Sequence, residues 1–461
     1  MQYNQPLDQP SNPNAPYVDG NPAAGIQGSI VPAASIEYDQ REAVEVITRA
    51  NVRGYSDFSG VPCAVPANTD LSQLRKAIEG FITNWQFIIS TEVTFHVHGS
   101  GADFPDLITA FNYLGKYRIT PTGHVILQLG GAATGAGQAV QYVYTQSIII
   151  SHPNNDRISI FGAQMLAPVS RNDTGYAWNG PSSTQRAADT ATNLALLRTK
   201  FATELHFQGT LTAISYPIVG LRIAGNSLMH LDGILFTSDG NPNTTAGVLF
   251  NCAGYMNNLP RLLGGGSYAY DGLAAANFQN GYGFNWDVGA CMGIEGESAD
   301  QTLCTPFIAI GCNSGLALTN GGFLTCSGNA ISLGNTNAGL LLWPRSGTQW
   351  DGGLFCNANG SYGVSCYLCS TGYIAAPLNA NTYNIGPSHC YRNGAYGLWL
   401  EMTNISANID FGAAANINVS GQIYAANNSG VQLWGSFVNY TPCSPAFNTN
   451  GNNNSFIGTG L

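Results

Sequence analysis

The sequence predicts a mainly β fold in which a parallel solenoid follows a small α-helical N-terminal unit, and three observations carry that expectation. A Gly-apolar-x-apolar tetrad recurs along the C-terminal half. It reads Gly220-Leu221-Arg222-Ile223, Gly247-Val248-Leu249-Phe250, Gly283-Phe284-Asn285-Trp286 and Gly315-Leu316-Ala317-Leu318, then Gly339-Leu340-Leu341-Leu342, Gly363-Val364-Ser365-Cys366, Gly397-Leu398-Trp399-Leu400 and Gly430-Val431-Gln432-Leu433. The steps between these glycines are 27, 36, 32, 24, 24, 34 and 33 residues, as expected of a chain that lays down a turn glycine and a short in-out strand on each coil. Charged residues make up only 9% of the 461 residues while hydrophobic residues keep 44%, with 56 glycines. That balance suits turn-rich β structure better than helices with charged outer faces. The apolar period also shifts from helical to alternating near residue 85.

Taken in order, residues 1–35 are rich in Pro, Asn, Gly and Ala and read as an extended arm, ordered only against a partner. Residues 36–90 read as a helical adaptor. In its first helix Ala43, Val46, Ile47 and Ala50 share a face, preceded by Asp39. In its second, Asp70 is the expected N-cap, Gln73 completes a capping box, and Leu71, Leu74, Ile78 and Phe81 form the apolar stripe. Helices this small bury little by themselves, so they are expected to dock on a neighbouring subunit or another protein.

Residues 91–440 read as the solenoid. Alternation over 94–98 opens it, and a third helix begins near Asp103-Phe104-Pro105 with Leu107, Ala110, Phe111 and Leu114 on one side. That helix is the expected N-terminal cap over otherwise open sheet edges. Strand-like runs follow at 124–129, 147–151 and 157–161. The stretch 163–205 interrupts them; Leu194, Leu197, Arg198 and Phe201 have helical spacing, which predicts an excursion packed on the outside. Asparagines at Asn359-Gly360, Asn393-Gly394 and Asn427-Asn428 suit left-handed corners and stacked hydrogen-bonded ladders. Residues 441–461 are the closing segment.

The formal charge is −10, from 26 acidic and 16 basic residues. With no Lys/Arg stripe, a nucleic-acid partner held by phosphate contacts is not expected. No apolar run approaches the length that spans a bilayer, so membrane insertion is not expected either. The start, Met1-Gln2-Tyr3-Asn4-Gln5-Pro6, has no basic-then-apolar leader, which predicts synthesis in the cytoplasm without a signal peptide. Eleven cysteines include Cys366-x-x-Cys369, but no second pair completes a four-ligand site, so free thiols packed as small hydrophobes are expected. Neither cofactor nor metal is implied.

The N-terminal third resembles a known family. Tyr17-Val18-Asp19-Gly20-Asn21-Pro22, Gly28-Ser29-Ile30-Val31-Pro32-Ala33-Ala34, Asp39-Gln40-Arg41-Glu42 and Pro66-Ala67-Asn68-Thr69-Asp70-Leu71-Ser72-Gln73-Leu74 resemble the anchoring region of tailed-bacteriophage tail fibres and tailspikes. Val97-His98-Gly99-Ser100-Gly101-Ala102-Asp103-Phe104-Pro105-Asp106-Leu107 resembles the opening of the right-handed parallel β-helix domains of such proteins, a pectate-lyase-like solenoid. The resemblance covers residues 15–165. It implies a virion protein, commonly a homotrimer, whose residues 1–90 dock on the phage tail or baseplate and whose distal part meets host-surface polysaccharide. Tail attachment would then fall to Tyr17, Asp19, Ile30, Val31, Gln40 and Arg41.

Many tailspikes of this shape cleave polysaccharide, so a depolymerase, hydrolase or lyase, is the alternative to simple attachment. Glycoside hydrolysis needs two carboxyl groups about 5–9.5 Å apart. Glu295, Glu297 and Asp300 are the catalytic candidates, with His230, Asp232, Asp271 and Asp287 as possible additions; a solvated turn is the commoner role for such a loop. A lyase needs a base beside uronate-binding groups, and His389-Cys390-Tyr391-Arg392 offers those residue types at a coil corner. His96 and His98 alternate on one strand, a packed or exposed pair rather than a metal site without a third ligand. For binding alone, exposed aromatic faces suffice, and Tyr268, Tyr270, Tyr282, Trp343, Trp350 and Tyr391 are the glycan-contact candidates.

Overall fold

The computed structural model describes residues 21–24, 27, 33–57, 59, 61–66, 72–84, 87–133, 135–170, 172–212, 219–240, 245–257, 274–287, 290–295, 307–326, 328–350, 352–368, 371–374, 388–407, 409–410, 418–426, 430–433, 448–449 and 456–459. The chain divides into two compact units, 1–87 and 88–461.

In the first unit α1 (Ala33–Val52) packs on α2 (Gln73–Asn84). Asp39 therefore lies inside α1 rather than before it. The core is small: Ile47, Ala50, Cys63 and Ala77, with Tyr55 and Phe81 edge to face at 5.3 Å. Contrary to the expected stripe, α2 turns its small face inward. Gln73, Ala77 and Gly80 are buried, while Leu74 and Ile78 keep 39% and 47% of their surface exposed. Close approach is the reason, because a Cβ on Gly80 would stand 3.0 Å from Tyr55 Cβ and 3.2 Å from Cys63 Sγ. Gln73 donates to Val65 O at 3.0 Å. Asp70 and Leu71 lie outside the described residues.

The second unit is mainly β, built from parallel sheets. From Phe307 the strands come in threes: Phe307–Ile310, Ser314–Leu318 and Phe323–Cys326; Ala330–Leu333, Ala338–Leu342 and Gly347–Trp350; Leu354–Asn357, Tyr362–Tyr367 and Thr371–Ile374. Each pairs in parallel with its counterpart in the next triplet, as Phe307 with Ala330, Leu316 with Leu340 and Phe323 with Gly347. The crossover that a parallel pair requires is thus supplied by the other two strands of the triplet. Before this series, α3 (Leu107–Leu114) is capped by Asp106, whose carboxylate accepts from Thr109 N at 2.7 Å. It buries Leu107, Ala110 and Leu114 in the main core.

Tetrad glycines and asparagines each have a structural cause. Gly220, Gly247, Gly283, Gly315, Gly339 and Gly363 lie inside strands rather than in turns, and none takes a positive φ. A Cβ on Gly220, Gly247, Gly283, Gly339 or Gly363 would meet the carbonyl oxygen of the next tetrad glycine at 2.6–2.9 Å. Their neighbours pair in one column, Ala246 with Tyr282, Tyr282 with Ser314, Ala338 with Tyr362 and Tyr362 with Tyr396. Gly430 stands apart, paired with Asn404 on the other half of that sheet. At a corner, Asn335, Asn359, Asn393 and Asn418 form a buried ladder whose amide groups donate to the next Oδ1 at 2.9–3.0 Å. The left-handed residue is the one before each ladder position: Gly334 (φ 63°), Ala358 (φ 54°) and Arg392 (φ 54°). Asn427 and Asn428 lie outside the described residues.

The interruption after 163 contains α4 (Ser183–Arg198), N-capped by Ser182. Leu197 and the following Phe201 pack on Leu235, Ala275, Ile308, Ile331 and Phe355, the outward side chains of the nine-stranded sheet. At the edge of this contact Arg198 pairs with buried Glu204 at 2.7 Å. Burial by itself would raise the Glu204 carboxyl; hydrogen bonds from Arg198, Thr237 and Gln141 outweigh it and hold it below its ordinary value. A depressed carboxyl contributes stability above its unfolded value, about 4.3, and loses it as pH falls through the folded value. Glu204→Gln is expected to lower the thermal midpoint at neutral pH by an amount that shrinks below about pH 4. A pH-independent difference in melting between the two proteins would refute this.

All eight cysteines among the described residues are free, and all but Cys291 are buried. Burial pushes the Cys252 and Cys312 thiols up to about 12, which leaves them inert at neutral pH. No described helix is long and apolar enough to cross a membrane.

Candidate functional site

Two segments far apart in sequence meet over the outward face of the nine-stranded sheet. One is the loop 172–179 that precedes α4. The other runs from the strand Ser388–His389 to the corner residue Arg392. The loop is held from below. Asn193 of α4 clamps Ala177 in both directions, donating to its carbonyl at 2.8 Å and accepting from its N–H at 2.7 Å. Asp189 accepts from Asn179 N at 2.6 Å and Asn179 Nδ2 at 2.7 Å. An Asx contact from Thr174 N to Asn172 Oδ1 at 3.0 Å shapes the turn itself.

This scaffold sets Asp173 against the sheet. Its Oδ2 accepts from buried Asn357 Nδ2 at 2.7 Å and lies 3.4 Å from His389 Nδ1. The register places Phe355 beside His389, so the imidazole rests edge-on against the Phe355 ring at 5.3 Å. It stacks on Tyr391 at 4.5 Å and 17°. Trp178 lies 5.9 Å from Tyr391, and Arg392 sets its guanidinium over the Trp178 ring at 5.3 Å while donating to Asn179 O at 3.2 Å. Arg392's positive φ belongs to the corner column it shares with Ala358 and is no sign of catalytic strain. Tyr391 is itself buried at 9% exposure and Asp173 at 7%, so, against the expectation of an exposed aromatic face, the Tyr391 ring backs the cluster. What the cluster presents is the half-buried Trp178, Arg392 and His389, the last keeping 21% of its side chain exposed.

The other predicted residues scatter. Trp350 has no exposed surface and its indole N–H donates to Gly328 O at 2.9 Å; as a core residue it is removed from the glycan candidates. Tyr282 is half-buried on the outer face of another sheet, where burial raises its phenol. Trp343 is 43% exposed at a different corner, beside Tyr367. Glu295 ends the strand Cys291–Glu295, and its side chain, like Glu297, Asp300, Tyr268, Tyr270 and Asp271, lies outside what is described. So do Tyr17, Asp19, Ile30 and Val31; Gln40 and Arg41 fall on α1, with Arg41 exposed. Asp287 accepts from Thr319 and Asn320 at 2.7 Å each and braces a turn. His230 and Asp232 lie 3.9 Å apart on the four-stranded sheet, Asp232 fully buried.

His96 and His98 do not share a face. His98 sits past the strand end at φ 65°, stacked on Tyr142 at 4.0 Å. Leu107 N donates to Tyr144 Oη at 3.1 Å, and the same hydroxyl shares a hydrogen bond with His98 Nε2, 2.7 Å away. Burial lowers the His98 imidazole, which favours its neutral form.

One arrangement missed in the sequence looks catalytic and is not. Glu92 Oε2 contacts His124 Nδ1 at 3.0 Å, and His124 Nε2 contacts Ser159 Oγ at 2.8 Å. Ser159 carries no exposed surface in the strand Ile158–Phe161, so no substrate carbonyl reaches it. Among the described residues, no three His, Cys, Asp or Glu side chains are grouped to hold a metal ion. Asp173 and Trp178 were missed as well; only the reading of 163–205 as an excursion pointed to their neighbourhood. Compared with known proteins, the chain matches no protein family, no curated protein and no solved structure.

Proposed function

We propose that this chain is a tail-fibre or tailspike protein of a tailed-bacteriophage virion, a homotrimer that attaches through residues 1–90 and meets host-surface polysaccharide with its β portion. On this reading the parallel triplets are the rungs of a right-handed β-helix, supported by the return of each strand to its own sheet after every third. Attachment through the first unit is supported by its thin core and by exposed Val44, Val52, Val61, Val65, Leu74 and Ile78. The observation that carries the glycan reading is the cluster in which half-buried Trp178, His389 and Arg392 lie together over the buried Tyr391 ring, with the Asp173 carboxylate behind His389.

The test is equilibrium binding of the full-length protein to purified host capsule or lipopolysaccharide. Trp178→Ala is expected to weaken binding about tenfold, roughly 1.4 kcal/mol, at a temperature where the variant is still fully folded, since Trp178 also packs on the core beneath α4 and its loss lowers the thermal midpoint. A wild type that binds no host polysaccharide, or a variant that binds equally well, would sink the assignment. The depolymerase reading has one observation in its favour, the Asp173–His389 pair beside Tyr391, with Glu295, Glu297 and Asp300 as its other candidates. Shortened chains in the same incubations would establish it, and His389→Ala against Glu295→Ala would locate it.

A further inference from the structure

We infer that the Trp178 cluster takes the acidic sugars of a host glycan, with Arg186 and Arg392 holding the anionic group; the inference rests on the glycan reading above and names the class of sugar that its site accepts. Both arginines close on one short loop. Arg392 Nη1 donates to Asn179 O at 3.2 Å, and Arg186 Nη1 donates to Pro181 O. Those carbonyls are two residues apart, at most about 7 Å along the chain, so the two guanidiniums flank the same surface beside the Trp178 ring. Arg186 comes from α4 and reaches the corner of the asparagine ladder, where a Cβ on Gly360 would stand 2.8 Å from its Nη1.

Charge is unevenly distributed there. The chain is acidic, with 16 Lys and Arg against 26 Asp and Glu, yet the carboxylates described against this loop are buried and turned inward. Asp189 accepts from Asn179 N, Asn179 Nδ2 and Gln185 Nε2 at 2.6–3.0 Å. Asp173 accepts from Asn357 Nδ2 and lies behind His389. Arg186, Arg392 and His389 are only half-buried. Among the described residues of the cluster, the ionisable groups that reach solvent are therefore two guanidiniums and an imidazole.

Arg186 is the sharper observation. Arg198, at the other end of α4, shows the usual arrangement for a half-buried guanidinium: it pairs with Glu204 through two hydrogen bonds of 2.7 and 2.8 Å. Among the described residues no carboxylate does this for Arg186. Its bond goes to a neutral carbonyl, and burial lowers its guanidinium with no neighbouring carboxylate to raise it. It also lies near the N-terminus of α4, whose first turn holds no acidic residue and where a cation is disfavoured. A carboxylate or phosphate bound between Arg186 and Arg392 supplies the missing charge. Guanidinium holds either group through paired N–H donors, and Trp178 supplies aromatic surface for the sugar ring that carries it.

The test is equilibrium binding of the full-length protein to three forms of purified host capsule or lipopolysaccharide: native, with its carboxyl groups reduced to alcohols, and with its phosphates removed. Wild type is expected to bind one of the neutralised forms at least tenfold more weakly than the native one. Loss with the carboxyl-reduced form identifies a sugar carboxylate, and loss with the dephosphorylated form identifies a phosphate. R186Q/R392Q is expected to bind native and neutralised forms alike, with a weaker salt dependence than wild type. If the two arginines only hold the loop in place, the variant loses affinity for every form by the same factor and the wild-type preference persists; that result overturns the inference. Equal binding of all three forms by wild type also overturns it, while leaving the glycan reading standing. A wild type that binds none of them overturns the glycan reading and this inference together.

Discussion

Replacing Gly363 with alanine is expected to destabilise the second unit by about 3 kcal/mol, the upper end of what overpacking costs, and to move much of the protein into the insoluble fraction on expression. The added Cβ would meet Gly397 O at 2.6 Å, Cys390 Sγ at 2.8 Å and Cys390 Cβ at 2.9 Å. A side chain can shift; the carbonyl cannot, because the strand Tyr396–Glu401 is held in register along its length. Gly363→Ala combined with Cys390→Ala should therefore recover only part of the loss. Gly137→Ala is the control: nothing lies within 4 Å of the Cβ it would add and its φ is not positive, so a change within about 0.5 kcal/mol is expected. Thermal unfolding of the three variants decides the matter. A Gly363→Ala protein as stable as the Gly137→Ala control would show that the sheet column relaxes and that the tetrad glycines answer to something else.

That column marks how far the fold was readable from residues alone. The tetrads announced parallel β repetition correctly, because spacing is a property of the chain. Their glycines were read as turn residues, because a turn is the commonest local reason for glycine. The actual reason is the approach of one strand to the carbonyl of the next, which no window of sequence contains. The same limit misplaced the face of α2. Leu74 and Ile78 are the apolar choice by period, yet Ala77 packs with Ile47 and Ala50 of α1, and Gly80 is what lets Tyr55 and Cys63 come close. By contrast, the third helix was expected in the right place but to begin near Asp103-Phe104-Pro105; it begins at Leu107 because Asp106, not Asp103, supplies the cap, and the Ser182 cap of α4 was not read at all.

The candidate site was half legible for a related reason. Residues 389–392 drew attention because they concentrate His, Tyr and Arg, and the sheet register then set His389 beside Phe355. Asp173 and Trp178 complete the cluster from the far side of α4, about two hundred residues earlier. Their pairing depends on where Leu197 and Phe201 seat the helix on the sheet. Burial removed Trp350 for the opposite reason: its strand alternation puts it inward, and only its indole N–H needed a polar partner, found at Gly328 O.

Asn359→Leu is expected to destabilise by on the order of 4 kcal/mol, from at least two buried donors orphaned at about 1–3 kcal/mol each. Asn359 Oδ1 accepts from both Asn335 N at 3.1 Å and Asn335 Nδ2 at 2.9 Å, and both bonds vanish with the amide. On the other side Asn359 Nδ2 no longer donates to Asn393 Oδ1 at 3.0 Å. Leucine nearly matches asparagine in length, so the loss reflects unmade hydrogen bonds rather than a cavity. Asn359→Asp separates donor from acceptor. It keeps an oxygen for the Asn335 groups, yet it loses the donor and turns a buried carboxylate toward Asn393 Oδ1. It is therefore expected to destabilise at neutral pH and to recover part of the loss in acid, where the protonated carboxyl donates again. Each rung of the ladder fixes the next, from Cys312 N through Asn335 and Asn393 to Asn418. One break should therefore cost more than an isolated pair. Melting curves of Asn359→Leu, Asn359→Asp and exposed Asn320→Ala test this; equal midpoints for Asn359→Leu and Asn320→Ala would mean that the ladder is incidental to the pairing of successive strand triplets.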